Sequence, residues 1–220
     1  MRIGLGFLTT QKRSVSFPTL EFETKLLADF STIIAMDEVG RGSLAGPVAV
    51  GAFVFTKEQL LTMPDGLQDS KLIKESKRAA IAELARGWGT SAVEFVGPDE
   101  IDSHGIIRAL KTAGQACLER LGIKNAIILL DGNQNWLELK GVITRVKADR
   151  DCASVAAASV IAKVSRDSLM SDLHEKYSQY DFASNKGYSS ARHISALREF
   201  GPSEIHRKTW LSKILSDELF

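Results

Sequence analysis

Residues 33–42 constrain this chain more than any other segment. They begin with an uninterrupted apolar run and then place Asp37 and Glu38 side by side. A short apolar run of this kind predicts a buried strand. Burying an unpaired charge is costly, so two adjacent acids at the end of such a strand indicate a bound cation. Divalent metals with a preference for oxygen ligands are the usual partners of carboxylates.

The three residues Gly40-Arg41-Gly42 follow at once and indicate a loop that binds an anion. Glycine lets the backbone approach a ligand closely, and the guanidinium between the two glycines suits a phosphate oxygen. Together with the preceding acids, this loop predicts metal-assisted chemistry on a phosphate.

Composition argues against several other classes of protein. With 44% hydrophobic and 25% charged residues in 220, the chain has an ordinary globular composition, and its length fits one domain or one domain with an appendage. No apolar run approaches the ~20 residues that cross a bilayer, and the first residues make no convincing secretory signal. We therefore expect a cytoplasmic protein with no membrane partner. The two cysteines lack C-x-x-C spacing, which indicates reduced thiols rather than disulfides or zinc.

Hydrophobic periodicity predicts an α/β fold with a mixed sheet. Strands are expected at 32–37 and 48–55, and the Gly46-Pro47 turn between them indicates a hairpin. Helices and strands then alternate, as in a partly parallel sheet. Further strands are predicted at 91–96, 126–130 and 142–147. Helices are predicted after a Thr19 cap and at 74–88, 99–121, 153–177, 190–200 and 209–218. Residues 1–18 are expected to be a poorly defined segment before a single domain at 19–220.

Acids follow three of these predicted strands: Asp37 with Glu38, then Asp131, then Asp149. In open α/β sheets the functional site lies beyond the strand ends, where such acids can converge. Four carboxylates can hold two divalent ions, an arrangement that activates water and stabilises the leaving oxygen in phosphodiester cleavage. Ligands that are all oxygen favour Mg²⁺.

Alternatives stay open at single positions. Asp131 stands before Gly-Asn and also fits a turn. Asp149 has two rivals, Asp151 and Asp167, and Asp151 also fits a cap of the following helix.

A series of short motifs carries a resemblance across residues 19–210. They are, in order, Asp37-Glu38-Val39-Gly40-Arg41-Gly42, Leu44-Ala45-Gly46-Pro47-Val48, Asp69-Ser70-Lys71, Leu130-Asp131-Gly132-Asn133, Lys147-Ala148-Asp149, the run from Ala156 to Asp167, Lys186-Gly187-Tyr188 with Ala191 and His193, and His206-Arg207-Lys208. In this order they resemble the type 2 ribonuclease H family, specifically bacterial ribonuclease HII. The resemblance implies a ribonuclease H-like mixed five-stranded sheet flanked by helices, with a helical C-terminal part.

The resemblance also implies an activity. Members of this family are endoribonucleases that cleave RNA in RNA–DNA hybrids, including single ribonucleotides embedded in duplex DNA. Hydrolysis 5′ to the ribonucleotide leaves 3′-hydroxyl and 5′-phosphate ends, and the implied role is removal of ribonucleotides misincorporated during DNA replication. Asp37, Glu38, Asp131 and Asp149 take the catalytic and metal-ligand roles for two Mg²⁺ or Mn²⁺ ions, which favours Asp149 over its two rivals. We expect the protein to act as a monomer.

Substrate-binding roles are implied by the same resemblance. Gly40, Arg41 and Gly42 would contact the 2′-hydroxyl that distinguishes RNA from DNA. Tyr188 would pack against the deoxyribose on the 3′ side, and Lys71 would approach the scissile phosphate. From the residues alone, Tyr188 fits a half-buried aromatic with a bonded hydroxyl, and Lys71 fits a solvated surface lysine.

Three positions depart from the family pattern. Ser43 replaces a common proline, which is expected to loosen the loop; Leu72 replaces a second lysine; and Gly105 replaces an asparagine that contacts a phosphate. We therefore expect activity with reduced substrate affinity and a shallower salt dependence.

Two alternatives to this function are ribonuclease HIII and a non-catalytic protein that binds hybrids. Ribonuclease HIII carries an additional N-terminal domain, for which the roughly 36 residues before Asp37 are too few. A fold does not guarantee an activity, but the four acids argue against the non-catalytic protein.

Overall fold

The computed structural model describes residues 17–215. Its strands are β1 (Ile33–Val39), β2 (Val48–Phe55), β3 (Ser91–Val96), β4 (Ile127–Asp131) and β5 (Val142–Arg145). They form one sheet in the order β3-β2-β1-β4-β5. β2 is antiparallel to both β1 and β3, whereas β4 is parallel to β1 and β5 is parallel to β4. This mixed five-stranded sheet confirms the predicted fold class, including the hairpin of β1 and β2.

Helices cover both faces of the sheet. They are α1 (Glu21–Asp29), α2 (Glu75–Trp88), α3 (Pro98–His104), α4 (Ile106–Leu121), α5 (Ala148–Asp151), α6 (Ala153–Lys176), α7 (Phe182–Asn185), α8 (Ala191–Phe200) and α9 (Ser212–Leu215). Strand side chains alternate between the faces: Ile33 and Ala35 pack with α2 and α6, and Ile34 and Met36 pack with α4. Within residues 17–215, no helix has the length and apolar character needed to cross a membrane.

Helix α6 lies unusually close to the hairpin because small residues line the contact. A Cβ atom on Gly51 would lie 2.4 Å from the carbonyl oxygen of Ala158. Gly51 is the β2 partner of Asp37 in the register of the hairpin. The same close approach therefore brings the middle of α6 beside the acidic end of β1.

The predicted single helix at 99–121 is wrong, because the chain breaks it into α3 and α4 at Gly105. This residue has φ 82° and ψ 159°, a conformation that glycine alone adopts readily. The apolar spacing continues through the break, so periodicity gave no sign of it. An asparagine in this conformation would be strained, which gives the glycine a structural reason.

Other helix and strand ends also differ from the predictions. Leu20, and not Thr19, takes the N-cap position of α1, because Thr19 forms a β-bridge with Cys152. β5 ends at Arg145 and the left-handed Lys147, with φ 63°, turns the chain into α5. Asp149 therefore lies in a short helix and not directly at a strand end.

The C-terminal part is helical, as predicted, and packs around a small apolar core of Met170, Phe182 and Leu197. This core contacts Leu44 and Ala45, and Ala45 forms a β-bridge with His206. The helix expected at 209–218 is replaced by a 3-10 turn at Lys208–Trp210 and by α9. Residues 216–218 of that prediction, and residues 1–16 of the predicted N-terminal segment, lie outside the described residues.

Candidate active site

The parallel pairing of β1 and β4 brings the acids of these two strands together. Their register ends with Met36 opposite Leu130, so Asp37 and Asp131 each come one residue later. The backbone N–H of Ala148 donates to Oδ1 of Asp131 at 2.7 Å, and the N–H of Asp149 donates to the same oxygen at 3.4 Å. Asp131 thereby anchors the start of α5, which carries Asp149.

Burial and mutual repulsion perturb these carboxyl groups. Asp37 and Asp149 are buried. The pKa of Asp37 is raised well above its usual range by burial and then by the charges of Glu38 and Asp131. The pKa of Asp149 is raised to about 6 by burial and then by Asp131. The pKa of Glu38 is also raised, chiefly by burial. The predicted acids thus share one electrostatic environment, as functional sites commonly do.

The chemistry of this cluster fits a hard divalent cation. Its ligand atoms are carboxylate oxygens, which Mg²⁺ and Mn²⁺ prefer, and a cation would offset the repulsion that raises the pKa of Asp37 and Asp149. Across residues 17–215, however, no three Asp, Glu, His or Cys side chains stand close enough to form a ready-made metal site.

The rivals of Asp149 are already engaged elsewhere. Asp151 accepts from Arg145 at 2.8 Å, and Asp167 pairs with Lys163 at 2.8 Å. Asp149 forms no ion pair within the described part of the chain.

A cavity of about 390 Å³ opens beside the acids. Seven of its lining residues were predicted as site residues: Asp37, Glu38, Gly40, Arg41, Gly42, Lys71 and Tyr188. Asp131 and Asp149 are not among the lining residues. Ser70, Ser159 and Lys163 also line the cavity, although no role was predicted for them from the sequence.

Lys71 also lines this cavity. Partial desolvation opposes its charge, but attraction to Asp37, Asp69 and the other nearby acids raises its pKa overall. Lys71 is exposed, as expected for a solvated surface lysine, and it also lines the cavity.

Arg41 is tied to the acidic cluster. Its Nη1 donates to Glu38 at 3.1 Å and its Nη2 donates to Oε1 of Gln134 at 3.3 Å. Gln134 follows β4, and nothing in its sequence context singled it out. The Arg41 guanidinium thus joins the ends of β1 and β4 across the site.

Tyr188 lies against the glycine loop. Its hydroxyl accepts a hydrogen bond from the N–H of Gly40 at 3.2 Å, and its ring centroid lies 5.6 Å from the guanidinium carbon of Arg166. The residue is 37% exposed. Tyr188 therefore has a bonded hydroxyl and a partly buried ring, and it also lines the cavity.

Ser43 was expected to loosen the loop, but in the structure it ties the loop to Arg166. It is fully buried, its hydroxyl donates to the carbonyl of Gly40 at 2.9 Å, and the same oxygen accepts from Nη2 of Arg166 at 2.8 Å. Leu72, by contrast, is 46% exposed beside Lys71 and supplies no charge there.

Arg166 and Arg207 belong to motifs of the resemblance, but no role was predicted for either of them from the sequence. Both are fully buried beneath the loop. A signal for Arg166 was present, since it follows Ala162 and precedes Met170 at four-residue spacing on the buried side of α6. Arg207 follows no such periodicity, and its role is seen only in its long-range contacts.

Comparisons with known proteins agree on one family. The ribonuclease HII family model matches residues 34–213. The ribonuclease HII of Streptomyces avermitilis is 41% identical over 194 residues, which cover 87% of this chain and 82% of that protein. The Archaeoglobus fulgidus ribonuclease HII, solved in a complex with PCNA, has a TM-score of 0.71 and 27% identity over 85% of this chain and 98% of its own.

A more distant structure shares the fold alone. Bst-RNase HIII, solved in complex with Mn²⁺, has a TM-score of 0.62 and 19% identity, and the match covers 77% of this chain and 63% of that chain. The four acids, the glycine loop, Lys71 and Tyr188 all lie inside the range that the ribonuclease HII family model matches.

Proposed function

The chain belongs to the ribonuclease HII family and is a ribonuclease, and from this premise we propose that it cleaves RNA in RNA–DNA hybrids, including single ribonucleotides embedded in duplex DNA. Hydrolysis takes place 5′ to the ribonucleotide and leaves 3′-hydroxyl and 5′-phosphate ends. The observation that carries the proposal is the shared cavity, in which Asp37 and Glu38 stand beside Gly40, Arg41 and Gly42. Two acids suited to metal-assisted cleavage of a phosphodiester thus lie beside a loop suited to binding a sugar hydroxyl.

Asp37, Glu38, Asp131 and Asp149 would hold two Mg²⁺ or Mn²⁺ ions. When bound, such ions activate water and stabilise the leaving oxygen of a phosphodiester. The protein contributes the placement of the acids. Asp131 fixes the turn that carries Asp149, and Arg41 restrains Glu38 at 3.1 Å.

The remaining residues of the cavity would bind the substrate. The backbone of the Gly40-Arg41-Gly42 loop would contact the ribose 2′-hydroxyl, and the exposed part of Tyr188 would pack against the next deoxyribose. Lys71, which lines the same cavity, would approach the scissile phosphate and balance part of its charge. With all of these roles assigned to residues of one chain, the proposed reaction needs no second copy, and we propose that the protein acts as a monomer.

The direct test is incision of a defined duplex. A DNA duplex with one ribonucleotide is incubated with the protein and Mg²⁺ or Mn²⁺, beside an all-DNA duplex and a sample with chelator. We expect one metal-dependent cut, 5′ to the ribonucleotide, and no cut in the all-DNA duplex. No incision under conditions where a control ribonuclease HII cuts the same duplex rejects the proposal.

Asp131→Asn separates chemistry from binding. An amide oxygen can still accept the hydrogen bond from Ala148, so the variant should fold, but it loses the negative charge. We expect incision to fall by at least about 100-fold, the scale of losing a stabilising group at the reaction centre, with duplex affinity retained. Full-rate cleavage by this variant would show that Asp131 is not a metal ligand.

Metal binding has a test that needs no substrate. A cation that binds the folded state alone raises thermal stability by mass action. Mg²⁺ should therefore raise the unfolding temperature of the wild type, and Asp149→Asn should weaken this rise. Identical shifts in both proteins would place the metal elsewhere.

Two other functions give different results in the incision assay. A ribonuclease HIII is expected to cut a single embedded ribonucleotide poorly and long hybrids well. A non-catalytic protein that binds hybrids would retain both duplexes without cutting either.

A further inference from the structure

Two buried cations lie beneath the glycine loop without a negative partner. The side chains of Arg166 and Arg207, the guanidinium pair, are completely buried. Among residues 17–215, no carboxylate forms an ion pair with either of them. Because burying an uncompensated charge is costly, this arrangement calls for a reason beyond packing.

Arg207 holds the carbonyl groups of the loop itself. Its Nη2 donates to the Gly40 carbonyl at 2.7 Å and its Nη1 donates to the Arg41 carbonyl at 2.9 Å. The same guanidinium reaches the Gly46 carbonyl, from Nε at 3.2 Å and from Nη2 at 3.1 Å. One side chain therefore spans both ends of the loop.

Arg166 supports the loop through a second route. Its Nη2 donates to the Ser43 hydroxyl, which in turn donates to the Gly40 carbonyl. Its Nη1 donates to the carbonyl of Lys186 at 2.9 Å, two residues before Tyr188. Arg166 thus links the loop to the segment that carries the aromatic residue of the site.

These contacts decide where the amide groups of the loop point. In a trans peptide, the carbonyl of one residue and the N–H of the next point in opposite directions, and the described chain contains no cis peptide. With the carbonyls of Gly40 and Arg41 bound to Arg207, the N–H groups of Arg41 and Gly42 face away from it. Neither N–H forms a hydrogen bond within the described residues. Arg41 and Gly42 line the cavity, and a Cβ atom on Gly42 would meet nothing within 4 Å, so this part of the loop borders open space.

We propose that Arg207, supported by Arg166 through Ser43, is a positioning residue that presents the N–H groups of Arg41 and Gly42 as a fixed pair of donors to the ribose 2′-oxygen. The guanidinium pair thereby sets the preference for ribonucleotides without touching the substrate. This inference rests on the proposed function. It also gives Ser43 a specific role in this chain, since its hydroxyl connects Arg166 to the loop.

Arg207→Lys tests the positioning role. Lysine keeps the charge, but one ammonium cannot span the carbonyls of Gly40, Arg41 and Gly46 in the geometry of a planar guanidinium. We expect KM for a duplex with one ribonucleotide to rise about tenfold, as for one lost or misaligned hydrogen bond. The affinity for the all-DNA duplex, which has no 2′-hydroxyl at that position, should stay within about twofold.

Leu110→Ala is the control for general destabilisation. Leu110 is fully buried in the core between α4 and the sheet and does not line the cavity. A purely structural effect lowers the active fraction, and with it the apparent kcat, and leaves KM unchanged. A rise in KM for the ribonucleotide duplex in Arg207→Lys but not in Leu110→Ala supports positioning. An unchanged KM in folded Arg207→Lys overturns it.

Ser43→Ala decides the question if Arg207→Lys does not fold, because it removes one hydroxyl only. It should raise the same KM about threefold, a small hydrogen-bond effect, and an unchanged KM overturns the proposal. A separate measurement needs no substrate: the amide signals of Arg41 and Gly42 in ¹⁵N spectra should be single and sharp in the wild type and broadened in Ser43→Ala. If the wild type does not cut the ribonucleotide duplex, the proposed function is wrong. Unaltered amide signals of Arg41 and Gly42 in Ser43→Ala would overturn the positioning role whether or not the protein cuts.

Discussion

The N–H of Gly40 donates a hydrogen bond to the hydroxyl of Tyr188 at 3.2 Å, across 148 positions of sequence. Gly40 belongs to the loop proposed to contact the ribose, and Tyr188 is proposed to contact the following sugar. The bond therefore fixes the distance between the two contacts. A substrate must satisfy both at once, which couples recognition of the ribonucleotide to recognition of the DNA after it.

Two substitutions at Tyr188 separate its ring from its hydroxyl. Tyr188→Phe keeps the ring and loses the acceptor of the Gly40 N–H, so kcat/KM for a single ribonucleotide should fall by a few-fold, as for one modest hydrogen bond. Tyr188→Ala also loses the packing surface and should cost ten- to a hundred-fold, roughly the scale of losing aromatic contact area. Tyr177→Phe, outside the cavity, is the control and should match the wild type. Equal losses in Phe and Ala would assign the effect to the hydroxyl and not to the ring.

The two glycines of the loop should respond differently to alanine. Gly40 has φ 80°, and a Cβ atom there would lie 2.1 Å from Nε of Arg166. Gly40→Ala should therefore destabilise the fold, by about 1–3 kcal/mol from backbone strain and overpacking. Gly42 has open space around the same position, so Gly42→Ala should keep the wild-type unfolding temperature and yet reduce incision by obstructing the substrate.

Thermal unfolding and incision kinetics, measured on both variants, check this contrast. A stable Gly40→Ala would contradict the packing of Arg166 against the loop. A fully active Gly42→Ala would contradict the placement of substrate in front of it.

The parts of the site that follow from local pattern were predictable. An apolar run ending in Asp37-Glu38 indicates a buried strand and a cation, and the bounds of β2 and β3 match the predicted 48–55 and 91–96. Asp131 was also placed correctly at the end of β4, because strands and their ends depend on short-range alternation and turn residues.

The parts that depend on long-range contacts were not predictable in the same way. Arg207 and Arg166 would be expected at the surface by composition, yet they are buried because loop carbonyls some 120 to 170 residues away accept their hydrogen bonds. The break at Gly105 was missed for a different reason. Side-chain periodicity carries no information about a single backbone torsion angle.

Leu72→Lys should strengthen substrate binding. Leu72 is exposed beside Lys71, where an added ammonium would face the phosphates of a bound duplex. We expect tighter binding at low salt and a slope of log affinity against log salt that is steeper by about one. Leu61→Lys adds the same charge beyond the opposite end of β2, on a residue that is 84% exposed, and should leave the slope unchanged. Equal slopes in both variants would show that Leu72 does not face the duplex.

Two buried histidines support the segment that carries Tyr188. His193 Nδ1 lies 2.8 Å from the Tyr188 carbonyl, and its Nε2 lies 3.0 Å from Nε2 of His206. A carbonyl only accepts, so His193 carries its proton on Nδ1 and His206 donates from Nε2. His206 Nδ1 then accepts from the N–H of Ser203 at 3.0 Å. Both rings are therefore neutral, and the three bonds form one directed chain from Ser203 to Tyr188.

This chain of hydrogen bonds makes a contribution to stability that is lost in mild acid. Burial, and then the neighbouring His193, lower the pKa of His206 to about 4, whereas an unfolded histidine titrates near pH 6.5. Between these pH values His206 is protonated in the unfolded chain but not in the folded protein. The stability that the neutral His206 contributes is therefore fully present above pH 6.5 and is lost as the pH falls towards 4. This contribution of His206 should reach about 3 kcal/mol. The raised pKa values of Asp37 and Asp149 act in the opposite direction, because those acids take up protons in the folded state first. Because these acids are present in both proteins, urea unfolding from pH 7.5 to 4.5 should show that the stability of the wild type relative to His206→Gln, which cannot titrate, falls as the pH falls, although the variant is less stable throughout. His104→Gln is the control, because His104 is exposed, and its stability should depend on pH as in the wild type. The same pH dependence in His206→Gln would contradict the neutral histidine pair.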